Sequence, residues 1–246
     1  MKSILITVDV EDWFQVENFK QHIPFSSWDS RELRVEKNTR RLLDLFDSVN
    51  FSNKQQTTNN PHTQKLRATF FVLGWIAERL PHLVREIYAR GHEVASHGHF
   101  HNLCNLESKE ALRKDFIKSK KLLENIISAP VVGYRAPSFS VTSDILKIIE
   151  DCGYQYDSSY NSFEMHGRYG KLSIHHYPQK GIACRISENF FELPISNLNL
   201  LPHKIPDNKT YLTGTTIHSS QPTTHNPKPK TIIILPCLSA AAVIFA

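Results

Sequence analysis

The sequence lacks the cysteine patterns that mark zinc knuckles and disulfide frameworks. Its four cysteines, Cys104, Cys152, Cys184 and Cys237, are far apart, and none forms a Cys-x-x-Cys pair. Such pairs are typical of structural zinc sites, and dense cysteines are typical of small secreted domains. We therefore interpret the four as buried thiols of a protein in a reducing compartment.

Long apolar segments are also missing. The apolar run at the amino terminus reaches Asp9 too early for a signal peptide. The final stretch, 231–246, is apolar but contains Pro236 and falls short of the roughly 20 residues that span a bilayer. We expect no membrane span and a cytoplasmic location.

A strong charge imbalance on the folded part is missing as well. The formal net charge is +5, but residues from His203 onward account for +3 of it through four lysines and one aspartate. The rest of the chain is nearly balanced, which argues against a nucleic-acid partner. The length of 246 residues, 40% of them hydrophobic, is enough for one α/β domain with a sizeable core.

Short apolar strands alternate with amphipathic helices along most of the chain. Strands are predicted at 3–8, 68–73, 92–96, 131–134 and 154–156. This alternation predicts a mostly parallel sheet, open or closed into a barrel. Apolar residues at helical spacing predict the inward faces of four helices: Leu42, Leu43, Phe46 and Val49; Leu83, Val84, Ile87 and Tyr88; Leu112, Phe116, Leu123 and Ile127; and Ile145, Leu146 and Ile149.

Two polar stretches interrupt the pattern. A segment at about 50–66 is rich in Asn, Gln and Thr, which predicts a surface loop. Residues 202–230 are rich in Thr, Pro, His and Lys without apolar periodicity, which predicts a linker or disorder. We therefore divide the chain into a domain at 1–201, ending with strands near 183–186 and 190–193, and an atypical, disordered or truncated tail at 202–246.

Side chains able to hold a metal follow two of the predicted strands. Asp9, Glu11 and Asp12 come at the end of the first strand, and His97 and His101 follow the third. Imidazoles four residues apart lie on one side of a helical or tightly turned segment, where both can reach one ion. Because α/β and barrel folds build their sites at the carboxyl ends of parallel strands, these residues indicate a metal-dependent hydrolase.

Three motifs in order resemble a known family. Thr7-Val8-Asp9, His97-x-x-x-His101 and Arg135-Ala136-Pro137 resemble the motifs of the NodB-homology polysaccharide deacetylases, carbohydrate esterase family 4. The amino-acid sequences of segments 8–14, 67–75 and 133–139 look closest to those of a subgroup associated with exosortase and exopolysaccharide loci. The resemblance covers about 3–201. It implies a distorted (β/α) barrel, incomplete or atypical at its C-terminus, that removes N-acetyl groups from an acetamido sugar of a polysaccharide or its precursor.

The resemblance also implies a divalent metal, most often zinc, with cobalt, manganese or iron as alternatives. His97 and His101 match the two imidazole ligands, and Asp9 matches the catalytic base. The family's motif has two adjacent aspartates, so the acid ligand here is Glu11 or Asp12. Alternation of side chains favours Glu11 if the strand continues, whereas a bulge would favour Asp12.

The turn after the fourth strand completes the expected site. By its match to the family, Arg135 orients Asp9 and keeps it ionised. Backbone N–H groups near Pro137 and Ser138 are expected to help hold an oxyanion. Phe139 is a candidate for stacking on a sugar ring, with a place in the core as the alternative.

Other assignments have two readings each. Asp157 matches a family position near the site, although an Asx-turn explains it equally well. Trp13, like Phe14 and Trp75, would stack on sugar rings or fill the core. His99 is expected to be structural or to face the substrate and not to be a third imidazole ligand.

One family motif has no counterpart in the sequence. Family members usually end with a strand bearing a Leu-His pair, whose histidine protonates the leaving amine. No predicted strand leads into His203, His218 or His225, and 175–176 comes too early. An inactive relative that binds metal or carbohydrate therefore stays open as an alternative. A second alternative keeps the same site but acts on a small amide such as allantoin.

Overall fold

The computed structural model describes residues 4–51, 64–161 and 170–195, together with 233–234 and 238–239. Twelve strands lie in these ranges. They are β1 (Ile4–Val10), β2 (Asn50–Phe51), β3 (Gln64–Lys65), β4 (Ala68–Val72), β5 (Glu93–Ser96), β6 (Gly133–Tyr134), β7 (Tyr156–Asp157), β8 (Gln179–Lys180), β9 (Ala183–Arg185), β10 (Phe191–Glu192), β11 (Ile233–Ile234) and β12 (Leu238–Ser239).

Five α-helices connect the strands of the described chain. They are α1 (Val35–Ser48), α2 (Gly74–Arg79), α3 (Pro81–Ala89), α4 (Lys109–Ile127) and α5 (Ser143–Asp151). Short 3₁₀ turns at Glu17–Phe19, Phe25–Ser30, Cys104–Leu106 and Pro137–Phe139 lie in the connections.

One sheet carries the fold. Its strand order is β11-β1-β4-β5-β6-β7-β10-β9-β8, with β12 also paired to β1. Pairing is parallel from β11 to β10 and antiparallel between β10, β9 and β8. Such an order, with helices between parallel strands, confirms the predicted α/β class. In the part of the chain that is described, the two ends of the sheet do not meet, so no closed barrel is formed there.

The two faces of β1 have different roles. Val8 and Val10 are fully buried in the hydrophobic core, together with apolar residues of α1, α3, α4 and α5. Thr7 and Asp9 point to the opposite face, where both contact the side chain of Arg135. Because successive residues of a strand face opposite sides, one face of β1 packs against the helices and the other presents polar groups.

Most of the predicted elements exist, with shifted ends. The strand at the amino terminus continues to Val10, two residues beyond its predicted end. Ser108 caps α4, since its side chain accepts a hydrogen bond from the N–H of Ala111. The inward position predicted for Tyr88 is wrong, because 44% of this residue is exposed on α3. Val49 follows α1 and is not part of it.

Some expectations fall on residues that are not described. Ranges 52–63 and 196–232, which contain the centre of the polar loop and most of the tail, lie outside the described residues, and so does Cys237. Cys104 and Cys184 are buried free thiols, whereas Cys152 is only partly buried. Across the described ranges, every helix is too short or too polar to cross a membrane.

Candidate active site

Asp9 and Arg135 form a buried ion pair at the carboxyl end of β1. Nη1 of Arg135 lies 2.8 Å from Oδ1 of Asp9 and 3.1 Å from Oγ1 of Thr7. Asp9 is 5% exposed and Arg135 is fully buried. A buried guanidinium paired with a carboxylate holds that carboxylate in its charged form and in a fixed position.

The rest of the Arg135 side chain is held just as firmly. Nε donates to the carbonyl of Ser158 and Nη2 donates to its hydroxyl, both at 2.9 Å. The guanidinium also lies 4.0 Å from the centre of the Phe71 ring, within the range of a cation–π contact. These contacts with β4 and with the segment after β7 fix the donor that faces Asp9.

The segment 97–101, here called the histidine loop, is a tight turn and not a helix. Gly98 and His101 both have positive φ, at 71° and 56°. A left-handed conformation is ordinary for glycine but strained for histidine, and such strain persists only where the surroundings enforce it. A side chain at position 98 would also come within 3.0 Å of the Asp115 carboxylate. The turn thus brings His97 and His101 together without a helix.

Neighbouring elements clamp the backbone of the histidine loop. The first N–H groups of α2, from Gly74 and Trp75, donate to the carbonyls of Gly98 and His99 at 2.8 and 3.1 Å. The N–H of His99 donates to Asp115 of α4 at 2.9 Å. Gly74 has no room for a side chain, since a Cβ there would lie 2.3 Å from Nδ1 of His99. The loop is therefore a rigid support for the groups it carries.

Glu11, His97 and His101 form one cluster. Each offers a ligand atom, these atoms all lie within 4.8 Å of one another, and all three residues are buried. Oε2 of Glu11 lies 2.7 Å from Nε2 of His101. Despite that distance, among the described residues this oxygen has no hydrogen-bond partner at a suitable angle. A carboxylate and two imidazoles that converge in this way match the donor set of a catalytic zinc site.

The hydrogen bond of His97 fixes which of its nitrogens is available. Its Nδ1 lies 2.9 Å from the backbone carbonyl of Arg135. A carbonyl only accepts, so Nδ1 carries the proton and Nε2 keeps a free lone pair. Metal-binding histidines are commonly oriented by such a bond from the non-ligating nitrogen. The cluster therefore fits a divalent ion, and Glu11, His97 and His101 are the residues that would hold it.

Charges in the cluster are mutually compensating. Burial alone would raise the pKa of Glu11, but the two nearby imidazoles outweigh it, so its pKa lies below the usual value. Burial lowers the pKa of His97. Burial also acts to lower the pKa of His101, but the Glu11 carboxylate outweighs it and raises that pKa above the usual value. Asp9 is near enough to influence all three groups.

Comparison with known families identifies the fold that carries this cluster. The model of the polysaccharide deacetylase family matches residues 34–156, half of the chain. The chain belongs to this family. The matched range includes both histidines of the cluster and Arg135, whereas Asp9 and Glu11 precede it.

Individual deacetylase relatives match over shorter ranges. A peptidoglycan-N-acetylglucosamine deacetylase of Bacillus cereus is 32% identical over 91 residues, which cover 37% of this chain and 42% of the relative. A peptidoglycan deacetylase-like protein of Gibberella zeae is 28% identical over 119 residues, which cover 48% of this chain and 31% of the relative. The chain therefore spans less than half the length of these curated relatives.

A solved structure supports the deacetylase fold. A Mycobacterium smegmatis protein described as a polysaccharide deacetylase matches with a TM-score of 0.52 at 21% identity. The match covers 87% of this chain and 66% of that one. At this level of identity the likeness concerns the fold alone.

Asp12 of this deacetylase-family chain lies apart from the cluster. Its Oδ2 accepts hydrogen bonds from the N–H groups of Arg34 and Val35 at 2.8 and 3.0 Å, and its Oδ1 accepts one from Trp13 at 2.9 Å. Burial raises the pKa of Asp12, and these N–H groups oppose the change. The carboxylate thus binds the amino-terminal end of α1, where a negative charge is favourable. Of the two acids considered for the metal, the structure brings only Glu11 to the histidines.

The turn after Arg135 has a strained backbone. Ser138 and Phe139 have positive φ values of 50° and 55°, and Pro137 is buried. The N–H groups of Phe139 and Ser140 already donate to carbonyls of the turn, and Pro137 has no N–H. Of this stretch, the backbone N–H of Ser138 is the donor that is left for the oxyanion role predicted from the sequence.

The aromatic residues singled out in the sequence differ in exposure. Phe14 and Trp75 are buried and pack edge to face, with ring centres 5.8 Å apart, so they belong to the core. Trp13 and Phe139 are partly exposed. The indole N–H of Trp13 donates to the carbonyl of Glu32 at 3.3 Å, so its polar edge is already engaged.

Asp157 is part of a buried acidic pair that the sequence reading missed. Asp157 accepts from the N–H and the hydroxyl of Ser159 and pairs in register with Glu192 of β10. Glu192 accepts from the N–H groups of Ser159 and Tyr160. Burial raises the pKa of both carboxyls, that of Glu192 well above the usual range. In the sequence, this pair was indicated only by an acidic residue, Glu192, inside the predicted strand 190–193.

This acidic pair stabilises the backbone next to the site and does not line it. Asp157 and Glu192 are fully buried, so neither reaches a substrate. They fix the segment that follows β7, from which Ser158 holds Arg135 and the hydroxyl of Ser159 accepts from the N–H of Ala136 at 2.8 Å. Their position indicates that they stabilise the backbone around Arg135.

Proposed function

We propose that this chain hydrolyses the N-acetyl group of an acetamido sugar in a polysaccharide or its precursor, with a divalent metal held by Glu11, His97 and His101. Membership of the polysaccharide deacetylase family supports the reaction class. The observation that carries the proposal is the convergence of these three side chains beside the Asp9–Arg135 pair. Zinc is the preferred ion because a carboxylate and two imidazoles, which leave one position open for water, suit a catalytic zinc site.

The proposed chemistry divides between the ion and the protein. A bound divalent ion would polarise the acetamide carbonyl and lower the pKa of water in the site. Asp9, held ionised by Arg135, accepts the proton of the water that attacks the carbonyl carbon. The N–H of Ser138 donates to the oxygen that gains negative charge. When the C–N bond breaks, the amine needs one proton, which Asp9 holds at that stage.

The test is acetate release by the purified full chain. N-acetylglucosamine oligosaccharides are incubated with the protein and zinc or cobalt, and acetate is measured over time. We expect release that stops when a chelator removes the metal. No acetate with zinc, cobalt, manganese or iron would contradict the proposal.

Two alternatives are separated by the same assay. An amidohydrolase would release no acetate from oligosaccharides but would open a small amide such as allantoin. An inactive relative would bind metal or oligosaccharide without turnover. We favour the deacetylase over an inactive relative because Asp9 and Arg135 lie beside the cluster. We favour it over an amidohydrolase because the chain belongs to the polysaccharide deacetylase family. The exopolysaccharide subgroup, a single domain at 1–201 and the cytoplasmic location remain predictions.

A further inference from the structure

A second cavity, of about 420 Å³, lies on the face of the sheet that carries Asp9. That volume is within the range of small-molecule sites, roughly 300–1,000 Å³. Three of its lining residues, Thr7, Thr69 and Glu93, pair in register across β1, β4 and β5. No residue of the metal cluster lines this cavity, so it is a space separate from the candidate active site.

Arg135 lies between this cavity and the active site. Its guanidinium donates to the hydroxyls of Thr7 and Ser158, and both of these residues line the cavity. The same guanidinium donates to Asp9. A ligand in the cavity would therefore be separated from Asp9 by a fully buried side chain.

Glu93 brings a negative charge to the cavity. Its Oε2 accepts from the hydroxyl of Thr69 at 2.6 Å, and its Oε1 accepts from the hydroxyl of Tyr156 at 2.9 Å. These neutral donors fix the carboxylate, and each oxygen can accept a further hydrogen bond. Within the described ranges, Glu93 has no cationic partner. A partly buried carboxylate in this state favours a ligand that brings a cation, because charges removed from water are normally paired.

Arg67 brings the opposite charge to the same cavity. Its Nη1 donates to the carbonyl of Gly91, and in the described part of the chain its guanidinium forms no ion pair. Arg67 is exposed, so its other N–H groups are accessible. A guanidinium offers five donors in a fork that suits a carboxylate. Arg67 and Glu93 thus line one cavity without pairing with each other, which matches a ligand that carries both charges.

Much of the remaining wall is apolar. Leu5 is 39% exposed although it is a large apolar side chain, and Leu193 of the segment after β10 is partly exposed. The ring of Tyr156 packs edge to face on Phe71, with ring centres 6.5 Å apart. An apolar surface with a few charged groups is typical of small-molecule sites. The ligand that fits this wall has an apolar body in addition to its two charges.

We propose that this cavity binds a small zwitterion with an apolar body, such as an α-amino acid with a large apolar side chain. Glu93 accepts hydrogen bonds from its ammonium group, and Arg67 donates to its carboxylate. Leu5 and Tyr156 contact the apolar part. The proposal goes beyond the proposed function and does not rest on it, because neither charged residue belongs to the metal cluster or contacts Asp9.

Calorimetric titration of the unaltered full chain with L-phenylalanine tests this site. A chelator is present throughout, so that the amino acid cannot bind through a metal ion. We expect saturable binding of one molecule per chain. Hydrocinnamate lacks the ammonium group of L-phenylalanine, and phenethylamine lacks its carboxylate. We expect each analogue to bind with a Kd about tenfold or more higher, the loss for a hydrogen bond to a charged group.

Two substitutions test the charged residues. Glu93→Gln removes the charge and keeps the shape, and Arg67→Met removes the guanidinium at an exposed position. We expect each to raise the Kd for L-phenylalanine by about tenfold or more. In Glu93→Gln, the advantage of L-phenylalanine over hydrocinnamate should also disappear, because the ammonium group then has no carboxylate to contact. Glu110→Gln is the matched control, since Glu110 is an exposed acid of α4 that does not line the cavity.

Several results would overturn the proposal. They are no binding of L-phenylalanine by the unaltered chain, equal binding of the two analogues and L-phenylalanine, an unchanged Kd in both variants, or an equal loss in Glu110→Gln. Circular dichroism checks the folding of each variant. If Glu93→Gln does not fold, Arg67→Met and the two analogues decide the outcome. Because the titration contains no metal and measures no turnover, a failure of acetate release would leave this result unchanged.

Discussion

On the two sides of the histidine loop, the pKa values of two buried histidines are shifted in opposite directions. On one side, His101 faces Glu11, and that carboxylate raises its pKa above the usual value although burial acts against it. On the other side, burial and Lys118, whose Nζ lies 2.7 Å from Nε2 of His99, lower the pKa of His99 to about 4. Both residues are buried. The charge of the partner, and not burial, separates them.

This difference has a functional meaning. Nε2 of His99 accepts a hydrogen bond from a lysine ammonium, so its lone pair is already used and a cation is kept away. His97 and His101 face two carboxylates instead, an environment that attracts a divalent ion. Three histidines at alternate positions therefore serve two purposes: two are available to a metal, and one joins the loop to α2 and α4.

Removing a histidine on each side gives the largest contrast. His97→Ala and His101→Ala each delete a proposed ligand, and we expect acetate release to fall by more than about 100-fold, beyond the loss typical of residues that only support a ligand. His99→Gln keeps an acceptor for Lys118, and we expect it to retain most of the activity. Initial rates at saturating zinc provide the comparison. A His99→Gln variant as inactive as the other two would remove the distinction between the sides.

The next comparison separates metal binding from proton transfer on the side of the histidine loop that faces Glu11 and Asp9. Asp9→Asn keeps the shape of the side chain and its bond to Arg135 but removes the base. We expect kcat to fall by about 10²- to 10⁴-fold, the usual contribution of a general base. The metal content should stay equal to that of the unaltered chain. A loss of metal together with activity would instead make Asp9 a ligand.

Because a buried charge depends on its oppositely charged partner, we also expect a large effect on stability when that partner is removed. Arg135→Met leaves Asp9 buried without its guanidinium, and we expect the free energy of unfolding to fall by about 3–5 kcal/mol. Arg113→Met is the control, because it breaks a pair with Asp151 whose side chains are both more than 40% exposed. Such an exposed pair contributes about 1 kcal/mol or less. Urea unfolding measures both variants, and equal losses would contradict the account.

A smaller, pH-dependent effect is expected where α4 holds the histidine loop. Burial raises the pKa of Asp115 from 3.8 to about 6, although the N–H groups of His99 and Phe100 oppose it. A folded-state pKa above the unfolded one means that the folded protein binds the extra proton, so stability falls as the pH rises from about 4 to 6. The side chain of Asp115→Asn cannot ionise, so we expect the stability of this variant to lack this decrease with pH.

The measurement is the difference between the two unfolding free energies at pH 4 and pH 6.5. We expect the unaltered chain to lose roughly 1–2 kcal/mol relative to Asp115→Asn over this range, a value reduced for the partial exposure of the side chain. The subtraction cancels the titration of all other groups. Parallel curves for the two proteins would show that Asp115 ionises normally.

Local patterns predicted the parts of the fold that depend on local physics. Apolar runs marked the strands that end near Asp9 and His97, and helical spacing marked α1, α3, α4 and α5, because burial of one face dictates both patterns. Tyr88 was misplaced since its helical position allows either a buried or an exposed ring. The helix α2 was missed because its six residues are too few for a clear period.

Contacts distant in sequence were beyond the reach of these patterns. Strand alternation favoured Glu11 over Asp12 only weakly, and the role of Asp12 depends on α1 beginning at Val35, more than twenty residues later. Glu192 lies opposite Asp157 only because β10 pairs with β7. The sequence predicted a tight approach of His97 and His101 but not the positive φ of His101 that achieves it.

Metal stoichiometry tests the central claim most directly. The full chain and the variants His97→Ala, His101→Ala and His99→Gln are loaded with zinc, dialysed and measured by mass spectrometry of the metal. We predict one zinc per chain for the unaltered protein and for His99→Gln, and none for the other two. Equal zinc in all four proteins, or loss in His99→Gln alone, would contradict the assignment of Glu11, His97 and His101 as the metal centre.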